Sequence, residues 1–458
     1  MKRIFSVLAV IMLGICSMFC LTGCFGGGES AYEIAVRNGF EGTESQWLEY
    51  IKGKNGQDGE DGVDYEDIRK LYDDLYKNGE YTGSFLSFIK DYIKVYDMGG
   101  ADLVANHNLL SSVSVSCYFD YNFKSYVSSG SGVIYEIDET KNEVYFVTNY
   151  HVVYVAEKDE ISDDINVNVY GMEGVAQEIS CEYIGGSEAY DVAVLKTSGA
   201  DAKTIIDGDY IEAEIADYDD LTVGGRVIAI GNPQGEGITV VSGIVSADNR
   251  YSTYAISSSA YSHRVFQIDA PINSGNSGGG IYNSDGRLIG LVSSKHLSLN
   301  LDENEIVEGM AYGIPVMHVD AIYNYCRNNY AGIPVTAKKY KFGVTNQAAN
   351  STARYDNSTH QTKTVEDVAV AAIAESSLAQ KIGLKVNDLY LSMKVTKLDG
   401  TIVEMNITRL YHINDVSMFI ESGDTLEIKV KRSGVETSLT YAFGAEDGEF
   451  LKALENIA

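Results

Sequence analysis

The sequence predicts a mainly β protein of two or three domains, and three observations lead there. Short runs of Val, Ile, Leu and aromatic residues recur between residues 113 and 314, each bounded by Gly, Asn or Asp, which is the pattern of an all-β sandwich or barrel. Only 4 prolines stand against 45 glycines, so the turns between these runs rest on Gly and Asn. A chain of 458 residues, 45% of them hydrophobic, can fill more than one core.

Residues 1–24 read Met-Lys-Arg, an apolar run, then Leu21-Thr22-Gly23-Cys24. A basic start before an apolar stretch is the pattern of a secretory signal peptide. Residues 25–98 follow as a small acidic, partly helical N-terminal region with a Gly-rich linker. Ile68, Leu71 and Leu75 have helical spacing, as do Phe85, Phe88, Ile89 and Tyr92. Gly53, Gly56, Gly59 and Gly62 keep a three-residue period. So few triplets, without proline, do not sustain a collagen helix, and a flexible acidic linker is expected.

Residues 99–330 carry the β pattern. Strands are expected at 113–119, 132–137, 144–148, 165–170, 192–196, 227–230, 240–245, 264–268, 288–293 and 311–314. Residues 331–336 read as a linker, 337–445 as a smaller domain of strands and short helices, and 446–458 as a C-terminal tail. Within 337–445, a strand is expected at 368–373. Residues 345–366 read as a long polar insertion.

The net charge of −30 argues against nucleic acid as a partner, because phosphate binding needs a basic surface. Of 6 cysteines, Cys16, Cys20 and Cys24 lie at the N-terminus, and Cys117, Cys181 and Cys326 are spread through the body. That is no disulfide framework, and buried free thiols are expected. No metal-binding spacing stands out, and no cofactor is expected.

The stretch with the clearest chemistry is Gly275-Asn276-Ser277-Gly278-Gly279. Glycines admit backbone angles closed to other residues and leave neighbouring N–H groups unshielded. The N–H groups of Gly275 and Ser277 are candidates to hold a developing oxyanion, with Asn276 shaping the turn between them. A serine hydroxyl needs a base to take its proton. His151, at the end of the apolar run from Val144, is the candidate, because imidazole titrates near neutrality. Asp191, leading the run Val192 to Lys196, is the candidate to orient it. The chain order His, Asp, Ser is that of the chymotrypsin branch of such triads, not of subtilisin or the α/β-hydrolases. His107, His263, His296, His318, His360 and His412 lack a paired motif and read as surface or packing histidines.

Together these segments resemble HtrA/Deg-type trypsin-like serine proteases. The likeness rests on Gly130-Ser-Gly-Val-Ile134, Thr148-Asn-Tyr-His-Val-Val153, Asp191-Val-Ala-Val-Leu-Lys196, Val227-Ile-Ala-Ile-Gly-Asn-Pro233, Val241-Ser-Gly-Ile-Val245, the serine stretch and Gly313-Ile-Pro315, all in the family's order. The resemblance implies a chymotrypsin-like double β-barrel, with His151 and Asp191 on the first barrel and Ser277 on the second, followed by a PDZ domain over 337–445. It implies that a substrate backbone pairs as a strand with Val292, Ser293 and Ser294. It places a carboxylate-binding loop at Phe342, Gly343 and Val344, for protein C-termini. Leu21-Thr-Gly-Cys24 resembles a bacterial lipobox, so Cys24 would carry lipid and hold the protein to a membrane surface outside the cytoplasm. The implied function is a serine endopeptidase that cleaves unfolded or damaged polypeptides, with a homotrimer as the implied assembly. The alternative is a catalytically weak, chaperone-like lipoprotein that binds peptides through its PDZ domain. One departure is Gly280, where the family often has proline; it implies a looser turn after the serine.

Overall fold

The computed structural model describes residues 65–77, 101–172, 178–218, 221–256, 260–295, 309–357 and 361–453. Cys24, the glycine triplets, most of residues 25–98, His296 and His360 lie outside the described residues. The chain divides into two compact units, Met1–Tyr96 and Asp97–Ala458. In the first, helix α1 (Tyr65–Lys77) falls where the spacing of Ile68, Leu71 and Leu75 predicts it. An Arg69–Asp73 pair one turn apart (3.4 Å) lies along it.

The second unit opens with α2 (Ala101–Leu109) and then builds a six-stranded barrel. Its strands are β1 (Ser112–Tyr121), β2 (Lys124–Asp138), β3 (Glu143–Thr148), β4 (Asp164–Val169), β5 (Ile179–Ser187) and β6 (Val192–Ser198). They run in the order β5-β4-β1-β2-β3-β6, and pairing of β5 with β6 closes the ring. Alternation decides the inside: Val113, Val115 and Cys117 are all within 1% of full burial and face one core with Phe146 and Leu195. Short helices α3 (Tyr150–Val153) and α4 (Gly199–Ile206) sit after β3 and β6.

The second barrel is closed in the order β8-β9-β12-β11-β10-β7. These strands are β7 (Arg226–Gly231), β8 (Thr239–Ala255), β9 (Ala260–Ile268), β10 (Gly280–Tyr282), β11 (Leu288–Lys295) and β12 (Ala311–Pro315). Phe266, Ile281 and Val292 are fully buried in its core, and each such side chain contributes about 1.5–3 kcal/mol over an exposed one. The connection between the barrels is pinned to both. Ala213 N–H donates to Ile134 O (2.9 Å), and Leu288 N–H donates to Glu214 O (2.7 Å). Helix α5 (Val316–Asn329) leaves the second barrel and returns to the first, where Arg327 meets Glu136 and Asp138 at 3.2 Å each. The Asp320 carboxylate accepts from two phenols, Tyr135 (2.8 Å) and Tyr218 (2.6 Å).

Residues 335–336, expected as linker, pair in parallel with Gly185 and Gly186 of β5. The C-terminal domain then forms a sheet in the order β13-β14-β15-β17-β18. Its strands are β13 (Val344–Asp356), β14 (Gln361–Ile373), β15 (Leu389–Thr396), β17 (Thr425–Arg432) and β18 (Val435–Ala442), with β16 (Ile402–Asn406) paired to β15. Helices α6 (Leu378–Ile382) and α7 (His412–Ser417) complete it. The polar insertion expected at 345–366 is regular structure: β13 and the start of β14 form one long hairpin, and β13 is an exposed edge. Residues 451–453, expected as tail, pair with Lys338–Tyr340. Cys117, Cys181 and Cys326 are free and buried. Burial pushes the Cys117 and Cys326 thiols up to about 12, which leaves them protonated and unreactive at neutral pH. Among the described residues no helix is long and apolar enough to cross a membrane.

Candidate active site

His151 and Asp191 come together where the first barrel ends two strands. β3 stops at Thr148, and one helical turn, α3, presents His151. Asp191 caps a short 3-10 turn over Glu188–Tyr190 and takes the left-handed conformation (φ 54°) just before β6. The turn is tied by Ser187 Oγ, which accepts from Tyr190 N–H (3.3 Å), and by Glu188 O, which accepts from Asp191 N–H (3.1 Å). Asn149 Nδ2 holds the Asp191 carbonyl at 2.9 Å.

The carboxylate of Asp191 then faces the imidazole. It accepts from the backbone N–H of His151 (3.0 Å) and lies 2.8 Å and 3.0 Å from Nδ1 through its two oxygens. An ionised carboxylate only accepts, so Nδ1 carries the proton and Nε2 keeps its lone pair. Burial by itself disfavours the charged ring, but the charge and hydrogen bond of Asp191 outweigh it and raise the pKa above 6.5. The His151 side chain stays 36% exposed, so Nε2 is within reach of a ligand.

Ser277 arrives from the second barrel on the loop that precedes β10. Two glycines make that loop possible. Gly275 (φ 96°) would place a Cβ 2.3 Å from Asn232 O, and Gly278 (φ 85°) would place one 2.2 Å from Ser131 O. No other residue fits either position. Ser131 of β2 anchors the loop twice and ties it to Asn232 beyond β7. Its N–H donates to Ser277 O (2.8 Å), its hydroxyl donates to Gly275 O (2.7 Å), and that hydroxyl accepts from Asn232 N–H (2.7 Å).

Two backbone donors of the loop are left unbonded. Ser274 O accepts from Gln234 N–H (2.8 Å) and Asn276 O accepts from Gly279 N–H (3.0 Å). In a trans peptide the N–H points opposite the carbonyl. The N–H groups of Gly275 and Ser277 therefore point away from those partners, and neither donates a bond among the described residues. Asn276 acts through its backbone, donating to Asn273 O (3.1 Å) within the same turn.

The hydroxyl itself is turned aside. Ser277 Oγ donates to Ser293 O at 2.9 Å and has no hydrogen bond to His151. Val292 uses both backbone groups on the loop, donating to Gly279 O and accepting from Gly278 N–H, each at 2.8 Å. Beyond Val292 the expected pairing edge continues with Ser293, whose O holds the Ser277 hydroxyl, and Ser294 on the same strand. Gly280 does not loosen the turn. It is buried in β10 opposite Leu291, and a Cβ there would meet the ring and hydroxyl of Tyr282, the nearest atom at 2.5 Å.

Phe342, Gly343 and Val344 lie apart from this cluster, at the start of β13. Phe342 O accepts from Ala379 N–H and Gly343 O from Ala374 N–H, both at 2.8 Å. Gly343 is left-handed (φ 68°), and its N–H points away from Ala379. The sequence reading assigns no role to Ser131, Asn149 or Tyr190. The small triplet Gly130-Ser131-Gly132 inside an apolar strand was the one available signal for the first. His318, read as a lone packing histidine, is one half of a second histidine–aspartate pair, with Asp415 at 2.8 Å.

The trypsin-like peptidase domain family matches residues 130–291, which hold all three site residues. The serine protease Do-like HtrA of Bacillus subtilis is 30% identical over 352 residues, which cover 74% of this chain and 68% of that protein. The serine protease HtrA-like of Staphylococcus epidermidis is 30% identical over 321 residues, 68% of this chain and 48% of its own length. Among solved structures, an HtrA-type protease AlgW with decapeptide is 20% identical, covers 75% of this chain and 98% of that one, and has a TM-score of 0.44.

Two closed barrels with a histidine–aspartate pair on one and a glycine-bound serine on the other define the trypsin-like class, and the protein is a serine endopeptidase. Within that class, the match to the Bacillus protein extends over more than two thirds of both sequences. The chain belongs to the HtrA family of serine proteases.

Proposed function

We propose that Ser277 is the nucleophile, His151 the general base and acid, and Asp191 the group that orients His151. The observation that carries this is the His151–Asp191 pair on one barrel and, on the other, a serine loop whose Gly275 and Ser277 N–H groups donate no bond among the described residues. Ser277 Oγ rotates off Ser293 O and attacks the scissile carbonyl while His151 Nε2 takes its proton. The oxyanion forms against the N–H groups of Gly275 and Ser277. Collapse breaks the C–N bond, and His151 returns the proton to the leaving amine. Water then repeats the sequence and frees Ser277. Rotation also uncovers Ser293 O, which accepts from a substrate backbone N–H as a strand pairs along Ser293 and Ser294.

The substrates are unfolded or damaged polypeptides met outside the cytoplasm. Residues 337–445 act as a PDZ domain that binds free C-termini at Phe342, Gly343 and Val344. Support comes from the free N–H of Gly343 and the exposed edge of β13 beside it. Cys24 carries lipid, a reading that rests on Leu21-Thr-Gly-Cys24; a fatty-acid analogue should label the wild type and spare Cys24→Ala. A homotrimer is the assembly the family resemblance suggests, and mass in solution tests it. A second reading, a peptide-binding protein of weak activity, draws on the Ser277–Ser293 bond. A serine-directed fluorophosphonate and casein cleavage decide between them. Wild type should label and cut, and Ser277→Ala should do neither. Peptidase activity retained in purified Ser277→Ala would sink the assignment.

A further inference from the structure

Helix α7 of the C-terminal domain plugs two adjacent side chains into the protease barrels. Asp415, 1% exposed, accepts from Arg264 (2.6 Å) on β9 and from His318 Nε2 (2.8 Å) on α5. Asn414 accepts from Lys339 Nζ and donates through Nδ2 to the hydroxyl of Tyr190 (3.2 Å). Tyr190 is 5% exposed, and the ring of His318 meets it edge-on at 5.0 Å. His263 lies against it at 5.8 Å.

Tyr190 immediately precedes Asp191, whose left-handed backbone persists only where its surroundings hold it. The backbone on either side is bonded to Ser187, Glu188 and Asn149. The Tyr190 phenol ties this turn to the C-terminal domain through Asn414, while Glu188 accepts from Tyr261 of the second barrel. We propose that Tyr190 is a positioning residue for the reaction and that Asn414 holds it, so that the docked C-terminal domain sets the aim of the Asp191 carboxylate at His151. The inference rests on the role given above to Asp191. It adds a cross-domain support to that role: Asn414 fixes Tyr190, Tyr190 fixes the turn, and the turn fixes the carboxylate.

The full-length chain tests this with a quenched fluorescent peptide that the wild type cuts. Tyr190→Phe keeps the ring and removes the hydroxyl. It should lower kcat by roughly three- to tenfold, the range of one hydrogen bond, and leave KM unchanged. A less well aimed Asp191 raises the His151 pKa less, so the acid limb of the kcat/KM profile should move to lower pH. Asn414→Ala should reproduce both effects, and the double variant should be no slower than the slower single one. Unchanged kcat with an unchanged acid limb in Tyr190→Phe overturns the proposal, as does an effect on KM alone. Multiplying effects in the double variant overturn it too, because the two residues would then act independently. Should Tyr190→Phe not fold, Asn414→Ala decides by the same two readouts. Ser277→Ala run alongside separates the failures: activity there indicts the nucleophile assignment, whereas a dead Ser277→Ala with a normal Tyr190→Phe indicts only the link.

Discussion

Two histidine–aspartate pairs among the described residues have the same length, and they behave in opposite ways. His151 meets Asp191 at 2.8 Å and His318 meets Asp415 at 2.8 Å. Yet the His151 pKa lies above 6.5 and that of His318 lies below it. Burial separates them first: the side chains are 36% and 0% exposed. Sharing separates them second. Asp415 also holds Arg264 at 2.6 Å, with Lys339 close by, so its charge is already spent on other cations. No Lys or Arg bonds to Asp191 among the described residues. His318 Nδ1 is buried without a hydrogen-bond partner, so a second proton there would have nothing to bond. The histidine whose pKa is raised is the one whose carboxylate is unshared and whose ring reaches solvent.

The same substitution in both pairs should therefore read out in different quantities. His151→Ala should cut kcat by about 10⁶-fold, as loss of one member of such a unit does, and leave stability nearly unchanged. His318→Ala should keep kcat within about tenfold and lower unfolding free energy by roughly 2–4 kcal/mol, through the lost charged hydrogen bond and the cavity. Peptidase rates and urea unfolding on both variants check this. Loss of activity without loss of stability in His318→Ala would erase the distinction.

The carboxylates sharpen it. Asp191→Asn should leave the fold intact and cost about 10⁴-fold in kcat by favouring the wrong tautomer. Asp415→Asn leaves Arg264, 7% exposed, without a counter-charge. That should cost about 3–5 kcal/mol of stability, seen as a lower melting temperature, with a far smaller change in rate. A stable Asp415→Asn protein would mean that Arg264 finds another partner.

The two pairs were not equally legible in the sequence. His151, Asp191 and Ser277 each sit at the edge of an apolar run or between glycines, because a site built on strand ends needs a core behind it and a tight turn in front. Most expected strands reappear with longer ends for the same reason: Val113, Val115 and Cys117 announce their own inner face. Asp415 and His318 carry no such local mark. Their partners lie 97 and 151 residues away in the chain, and long-range polar pairing leaves no period. Strand β5 was missed because Gly185 and Gly186 interrupt its apolar pattern, although a Cβ at Gly186 would strike Val192 O at 2.3 Å. Helix α5 was missed although Val319, Ile322, Tyr323 and Cys326 have helical spacing. The hairpin β13–β14 looked like an insertion because most of its residues are exposed on both faces, so nothing alternates.

The pairs also oppose each other in the pH dependence of stability. The folded pKa of His151 is raised, so its contribution is full below 6.5 and is lost as pH rises through the folded value. The folded pKa of His318 is lowered by burial, against the pull of Asp415 and with the help of Arg264 and Lys339. Its contribution is full above 6.5 and shrinks as pH falls through 6.5, because only the unfolded chain takes the proton. His263 has the same sign: burial first, then the charges of His318 and Arg264, bring it down to about 3. Asp415, held at about 2 mainly against burial by Arg264 and His318, keeps its share until far lower pH. Between pH 6.5 and pH 5 the buried histidines should thus dominate, each lowering stability by up to about 1.4 kcal/mol per pH unit. Urea midpoints at several pH values should fall across that window in the wild type. His263→Phe should flatten the fall by close to one proton, and His151→Ala should steepen it slightly by removing the opposing slope. A His263→Phe protein with the wild-type slope would show that this ring is charged in the fold, and the rule that burial decides between the two kinds of histidine would fail at its clearest case.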